Sequence, residues 1–181
     1  MIEFVLFCVP VLVYLIVQSR GKDRSLKSAL NRIGASWGAP SAYGWALMLL
    51  VPLLLTSWLA ITLVPAEVLG EPGVMIARIT SVGAGVSVAL RAIGEEVLFR
   101  GLLGGVFVRR LRFFWGNLLQ AAVFIVPHLP LLLVDIRIWP ILPVQFAAGW
   151  LLGWLRNKTE TFVPGALLHF ITNVAAGLIA L

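Results

Sequence analysis

Apolar runs long enough to cross a lipid bilayer follow one another along this sequence, separated by short charged segments. A membrane-spanning helix needs roughly 20 apolar residues. The chain supplies a longer run at residues 74–108 and five runs of about the spanning length, at residues 2–18, 43–64, 113–128, 139–155 and 160–181. These runs predict an all-α fold: a polytopic membrane helix bundle of about six transmembrane helices, forming a single integral membrane domain over residues 1–181.

The composition favours a membrane protein over a soluble one. Of the 181 residues, 60% are hydrophobic and 12% are charged, and the mean hydropathy is +1.00. A soluble domain is about 45–50% apolar, so lipid must solvate the excess. The net charge of +6 comes from basic residues between the apolar runs, where they act as topology signals and phospholipid contacts. We therefore predict a phospholipid bilayer as a partner and no nucleic acid.

Basic residues are concentrated in three patches, at residues 20–32, 109–112 and 156–158. Pairs of predicted spans separate these patches, so all three fall on the same side of the membrane. The positive-inside rule makes this the cytoplasmic side. The acidic, turn-rich segment 65–73 is then expected on the outside.

The run at residues 74–108 is too long for one upright span. A helix of this length would reach about 50 Å, whereas the bilayer core is about 30 Å thick. The segment must either form a strongly tilted helix that protrudes or break into an amphipathic piece and a spanning piece. The sequence leaves this choice open.

Among the polar residues that interrupt the apolar runs, six in the second half of the chain are candidates for a functional site, whereas Gln145 is assigned mainly to structure. Polar residues inside membrane helices are costly and usually functional. The candidates are Glu95, Glu96, Arg100, His128, His169 and Asn173. Counted from the basic end of each segment, Glu95, His128 and Asn173 lie about 22 Å deep. His169 lies about 16 Å deep, so we predict that three segments bring these residues together in an intramembrane active site.

Helical spacing predicts different environments for the two adjacent acids. Glu96 and Arg100 are four residues apart, on one helical face, and are expected to form an ion pair. Glu95 points about 100° away from Glu96, which leaves Glu95 free to face a cavity.

These residue types suit the activation of water. A buried carboxylate serves as a general base near neutral pH, and histidine and asparagine donate hydrogen bonds to an oxyanion. Two histidines and a glutamate also match a zinc site with an open position for water. The residues alone leave both chemistries open, but no serine or cysteine stands in a nucleophile motif, which disfavours a covalent mechanism.

The pattern of these residues resembles a known family. Glu95-Glu96-x-x-x-Arg100, Phe124-x-x-x-His128 and His169-x-x-x-Asn173 are similar to the three main motifs of the CPBP family, the CAAX-protease and bacteriocin-processing membrane proteases, also called the ABI family. The flanking residues 99–101 and the spacing Phe146-x-x-Gly149-x-x-x-Gly153 also resemble the family pattern. The resemblance covers a catalytic core of about residues 85–177.

The resemblance implies an all-α intramembrane endopeptidase in which Glu95 activates the attacking water. Glu96 and Arg100 would support and orient it. His128 would hold the water or bind the scissile region of the substrate.

The resemblance also assigns the oxyanion to His169 and Asn173. The family has been described both as metalloproteases and as glutamate-dependent proteases. A zinc cofactor therefore stays open, with Glu95, His128 and His169 as its ligands if a metal is present.

The number of spans bears on the substrate. The prenyl-protein proteases of the family have about eight spans, whereas this chain has about six. We therefore expect a multi-pass protein of a bacterial inner (plasma) membrane rather than an enzyme for prenylated CAAX proteins. Its substrate would be a membrane-bound peptide or protein, such as a bacteriocin-like precursor or a C-terminal anchor.

Two other functions fit the buried carboxylates. An ion- or proton-coupled membrane carrier would use them for transport, but such carriers often contain internal repeats, and no repeat is present in this sequence. A non-catalytic immunity or scaffold membrane protein would keep the same residues for packing.

Overall fold

The computed structural model describes residues 2–20, 24–72, 74, 77 and 79–180. Over these residues the fold is all-α, as predicted, and contains no strands. The longer helices are α1 (Ile2–Ser19), α2 (Leu26–Ile33), α3 (Pro40–Thr62), α5 (Val82–Glu95), α6 (Gly105–Ile125), α8 (Ile141–Thr159) and α9 (Val163–Ile179). Shorter elements are the helices α4 (Ala66–Leu69) and α7 (Leu131–Val134), a π-helical segment at Glu96–Gly104 between α5 and α6, and 3₁₀ turns at Val126–His128 and Ile136–Ile138.

The chain folds back on itself within α6, at Arg112. The backbone of Arg112 leaves the helical region, with φ 64° and ψ 170°. On either side of this residue the two arms pack antiparallel, because Gly116 lies against the backbone of Val108 and Gly104 faces Gln120. A Cβ at Gly116 would lie 2.6 Å from the Val108 backbone nitrogen, so only glycine allows the arms to approach this closely.

Among the residues that the structure describes, four stretches are long and apolar enough to cross a membrane: Ile2–Ser19, Pro40–Thr62, Val82–Val134 and Ile136–Thr159. The third stretch is the one that folds back at Arg112, so it supplies two antiparallel arms. Helix α9 is also apolar but shorter, at 17 residues. The protein is therefore a polytopic integral membrane protein. Counting the two arms separately, the described part of the chain has six long helical segments.

The predicted run 74–108 begins later than expected. Positions 74, 77 and 79–81 are not helical, and α5 begins at Val82, where the Ser81 side chain accepts a hydrogen bond from the Ala84 backbone N–H at 3.1 Å. Beyond α5 the chain does not break but continues through the π-helical segment into α6. Such wide turns inside helices are frequent at functional sites.

The basic segment 20–32 is not simply a loop, because it contains α2. Ser25 caps the helix by accepting a hydrogen bond from the Ser28 backbone N–H, at 3.2 Å, and Gly34 ends it with a left-handed φ of 74°. The helix buries Ala29 and Ile33 and keeps its polar side chains outward. The many charged residues of this segment indicated a loop, although its few apolar residues follow the spacing of an amphipathic helix.

Members of all three basic patches lie at one end of the bundle, here called the basic end. Arg109 donates hydrogen bonds to the Arg32 carbonyl oxygen at 3.0 Å and to the Tyr14 hydroxyl at 3.2 Å. The Arg156 side chain lies directly against Gly34. The opposite end, here called the far end, contains a buried apolar cluster of Ile61, Val64, Val68, Leu69 and Ile138.

Candidate active site

The two adjacent acids lie where α5 gives way to the π-helical segment, and both are buried. Glu95 is 3% exposed and Glu96 is 0% exposed. Glu96 Oε1 lies 3.0 Å from Nη1 of Arg100, whose side chain is also fully buried, so the predicted ion pair is confirmed. The Arg100 guanidinium also lies 4.0 Å above the ring of Phe124, where a cation is attracted to the aromatic face.

His169 joins helix α9 to both acids. Its Nδ1 lies 2.9 Å from Glu96 Oε1, and its Nε2 lies 3.5 Å from Glu95 Oε2. A carboxylate accepts hydrogen bonds, so Nδ1 carries the proton that is donated to Glu96. In the neutral ring the Nε2 lone pair then faces the Glu95 carboxylate, and a proton or a water molecule between them would relieve the repulsion.

His128 enters from the end of α6, where Pro127 and the 3₁₀ turn carry the side chain inward. Its Nδ1 lies 3.0 Å from the Phe124 carbonyl oxygen, which can only accept, so Nδ1 donates and Nε2 is the unprotonated nitrogen of the neutral ring. The Phe124 ring contacts both histidines edge-on, with centroids 5.2 Å from His128 and 6.1 Å from His169. The spacing between Phe124 and His128 thus serves both orientation and packing.

Arg91 is a site residue that the sequence analysis missed. Its Nε donates a hydrogen bond to Glu95 Oε1 at 3.0 Å and lies 3.4 Å from Oε2 of Glu3. Glu95 therefore faces a cavity, as predicted, but it is not unpaired. The four-residue spacing between Arg91 and Glu95, the same as between Glu96 and Arg100, was the available signal.

A cavity of about 780 Å³ brings four of the six predicted residues together: Glu95, His128, His169 and Asn173. Glu96 and Arg100 do not line it and lie behind Glu95 and His169. From these four residues the cavity extends to the far end of the bundle, where Glu3, Leu69 and Val134 line it. This volume accommodates a peptide segment, and Glu95, the two histidines and Asn173 lie in its inner part.

The predicted zinc ligands do not form a group of metal-binding size. Among the residues that the structure describes, no three His, Cys, Asp or Glu side chains lie close enough to share a metal ion. Glu95 and His169 approach each other, but His128 does not complete a set with them. The close contacts of these side chains are instead with Arg91, Glu96 and the Phe124 carbonyl.

Comparison with known families supports the predicted resemblance. Residues 77–175 match the family described as "Type II CAAX prenyl endopeptidase Rce1-like", and the matched region includes Arg91 and all six predicted site residues. Neither the curated proteins nor the solved structures gave a match. Because the match covers more than half of the sequence, this chain belongs to the Rce1-like family of type II CAAX prenyl endopeptidases and is a membrane peptidase.

Proposed function

We propose that this protein is an intramembrane endopeptidase that hydrolyses a peptide bond of a membrane-associated substrate with water activated by Glu95. The observation that carries the proposal is the 3.5 Å approach of the Glu95 carboxylate to His169 inside a cavity large enough for a peptide. A water molecule placed beside this pair would meet a general base on one side and a hydrogen-bond donor on the other.

Glu95 acts as the general base. Arg91 holds its Oε1, which leaves Oε2 to take a proton from water as the water attacks the scissile carbonyl carbon. The same carboxyl group then gives the proton to the departing amine nitrogen. His128 accepts a hydrogen bond from the attacking water through its free Nε2 and so fixes the direction of attack.

His169 and Asn173 stabilise the tetrahedral oxyanion. Glu96 accepts a hydrogen bond from Nδ1 of His169 and so fixes the orientation of the ring. When Nε2 also carries a proton, its N–H donates to the oxyanion. Asn173 lies one helical turn further along α9 and lines the same cavity, so its amide supplies a second donor. Arg100 balances the charge of Glu96 and fixes its position.

The substrate reaches the site from the far end. The positive-inside rule assigns the basic end to the cytoplasm, so the cavity opens toward the opposite face of a bacterial inner membrane. A membrane-bound peptide or a membrane protein with a cleavable C-terminal anchor fits this geometry, because its chain lies among the apolar helices while its scissile bond enters the polar inner part of the cavity.

Mutation tests the proposed roles of the two histidines and the asparagine. Purified protein in lipid nanodiscs is incubated with a library of membrane-anchored peptides, and products are identified by mass spectrometry. We expect His128→Ala and His169→Ala to abolish detectable cleavage and Asn173→Ala to lower kcat by about 10²-fold or more. Unchanged cleavage in His169→Ala would overturn the oxyanion assignment, and substrate-driven flux without cleavage would support a carrier instead.

A further inference from the structure

A second cavity, of about 190 Å³, lies at the basic end of the bundle, among the π-helical segment, α6 and α8. It shares no lining residue with the active-site cavity, and Arg100 is one of the residues that line it. Its other polar lining residues include Arg109, Asn117, Gln120, Arg156 and Glu160. The assigned peptidase activity gives this cavity no role.

The lining of this basic-end cavity has buried donors without acceptors. Arg100 is fully buried, yet none of its three guanidinium nitrogens makes a hydrogen bond of good geometry, although Nη1 lies near Glu96. Nε of Arg156 is likewise buried without a hydrogen-bond partner. Buried charged donors left unsatisfied are costly. Nε of Arg156 and the N–H groups of Arg100 that Glu96 does not satisfy therefore point to a further acceptor.

The charged residues that line the cavity are mostly basic. Three arginines line it, the buried Arg100, the half-buried Arg156 and the exposed Arg109, against one acid, the exposed Glu160. Arg100 is paired with Glu96, so the charges of Arg109 and Arg156 make up the excess. Arg109 is held in place by its bonds to α2 and α1. A cluster of fixed cations in a partly desolvated recess attracts an anion strongly.

We propose that this recess binds a phosphate group, carried by an anionic phospholipid headgroup of the adjacent leaflet or present as free inorganic phosphate. Guanidinium groups match phosphate oxygens with paired hydrogen bonds. Basic pockets between membrane helices on the cytoplasmic side are a known form of headgroup site. The volume is sufficient for a phosphate or a small headgroup, while acyl chains would remain in the bilayer.

Bound phosphate would act on the active site through Arg100, because the guanidinium of Arg100 also pairs with Glu96. An anion that accepted hydrogen bonds from the unsatisfied N–H groups of Arg100 would hold this side chain against Glu96. The inference itself does not depend on the proposed peptidase mechanism, since its test measures binding and stability.

The test compares thermal unfolding of the full chain in nanodiscs of phosphatidylcholine with and without phosphatidylglycerol, and in a neutral detergent with and without inorganic phosphate. We expect at least one of these anions to raise Tm. A response to phosphatidylglycerol alone identifies a headgroup as the ligand, and a response to inorganic phosphate identifies the free ion. No response to either overturns the proposal.

Matched variants separate the recess from general surface charge. Arg156→Gln removes a lining cation, whereas Arg110→Gln removes an exposed cation of the same basic patch that does not line the cavity. We expect Arg156→Gln to lower the affinity for the anion that raises Tm roughly tenfold. Arg110→Gln should leave that affinity unchanged. Arg156→Lys, which keeps the charge and loses the planar fork, should bind with intermediate affinity if Arg156→Gln does not fold. Equal responses of the Arg156 and Arg110 variants would overturn the proposal.

Discussion

His169 donates a hydrogen bond from Nδ1 to Glu96 across 2.9 Å, joining two residues 73 positions apart in the chain. The contact fixes the ring so that its other nitrogen faces Glu95. Glu96 therefore has two partners, Arg100 on its own helical segment and His169 on α9. One buried carboxylate thus neutralises a cation and orients a histidine of the proposed catalytic site.

Replacing Glu96 with glutamine should lower both stability and activity. The change keeps the size of the side chain but leaves the buried Arg100 without its counter-charge, and breaking a buried pair in this way costs about 3–5 kcal/mol. Thermal and denaturant unfolding in detergent measure the loss. The matched control is Glu67→Gln, which breaks the exposed pair with Arg137 and should change stability little; equal effects of the two variants would contradict a structural role for the buried pair.

Arg91→Gln should reduce turnover without unfolding the protein. The variant removes the hydrogen bond that holds Glu95 Oε1, and the loss of a charge-assisted bond corresponds to roughly a tenfold to hundredfold lower rate. Because Arg91 is a positioning residue, the effect should fall on kcat rather than KM.

Arg91→Lys provides the control, because lysine retains the positive charge beside Glu95. We expect it to restore a substantial part of kcat. If glutamine and lysine at this position give the same activity as arginine, the contact with Glu95 has no part in catalysis.

The hairpin at Arg112 depends on a single small residue. Gly116→Ala would force a methyl group to within 2.6 Å of the Val108 backbone, so the two arms must separate and Tm should fall by several degrees. Gly44→Ala in α3 is the matched control, since no atom lies within 4 Å of the added methyl group and alanine is the better helix former. A stable Gly116→Ala protein would show that the arms do not pack this closely.

Chelation and metal analysis test directly whether cleavage depends on a metal ion. The proposed roles use protein side chains alone, and the described residues contain no three-ligand group, so we expect cleavage to survive dialysis against a strong chelator. Metal analysis of the active protein accompanies the assay. Stoichiometric zinc that is lost together with activity, and restored with it, would replace the glutamate mechanism by a metal-dependent one.

Hydropathy and spacing predicted the bundle and the pairing of Glu96 with Arg100, because lipid leaves few places where a charge is tolerated. The same two signals predicted that four residues from three separate segments lie together, and these four residues line the active-site cavity. It missed the role of Arg91, which looked like one more cation in a segment of uncertain structure, although its spacing to Glu95 was visible.

Other features could not be read from local pattern. The π-helical segment could not be predicted from its sequence, since its two glycines, Gly101 and Gly104, weaken a helix without indicating a π-helical turn. The charged residues around α2 indicated a loop. The structure shows an amphipathic helix whose Ala29 and Ile33 are buried. The basic-end cavity forms where Arg156 of α8 meets the segment that carries Arg100 and Arg109, and this contact between distant segments is not indicated by either segment alone.

The central claim is that the Glu95 carboxylate activates water. The most direct measurement is the cleavage rate of Glu95→Gln beside Glu3→Gln, whose carboxylate also contacts Arg91 but lies at the mouth of the cavity. We predict that Glu95→Gln folds and loses about 10²–10⁴-fold in kcat, while Glu3→Gln retains most of its activity. Full activity in a folded Glu95→Gln protein would contradict the account.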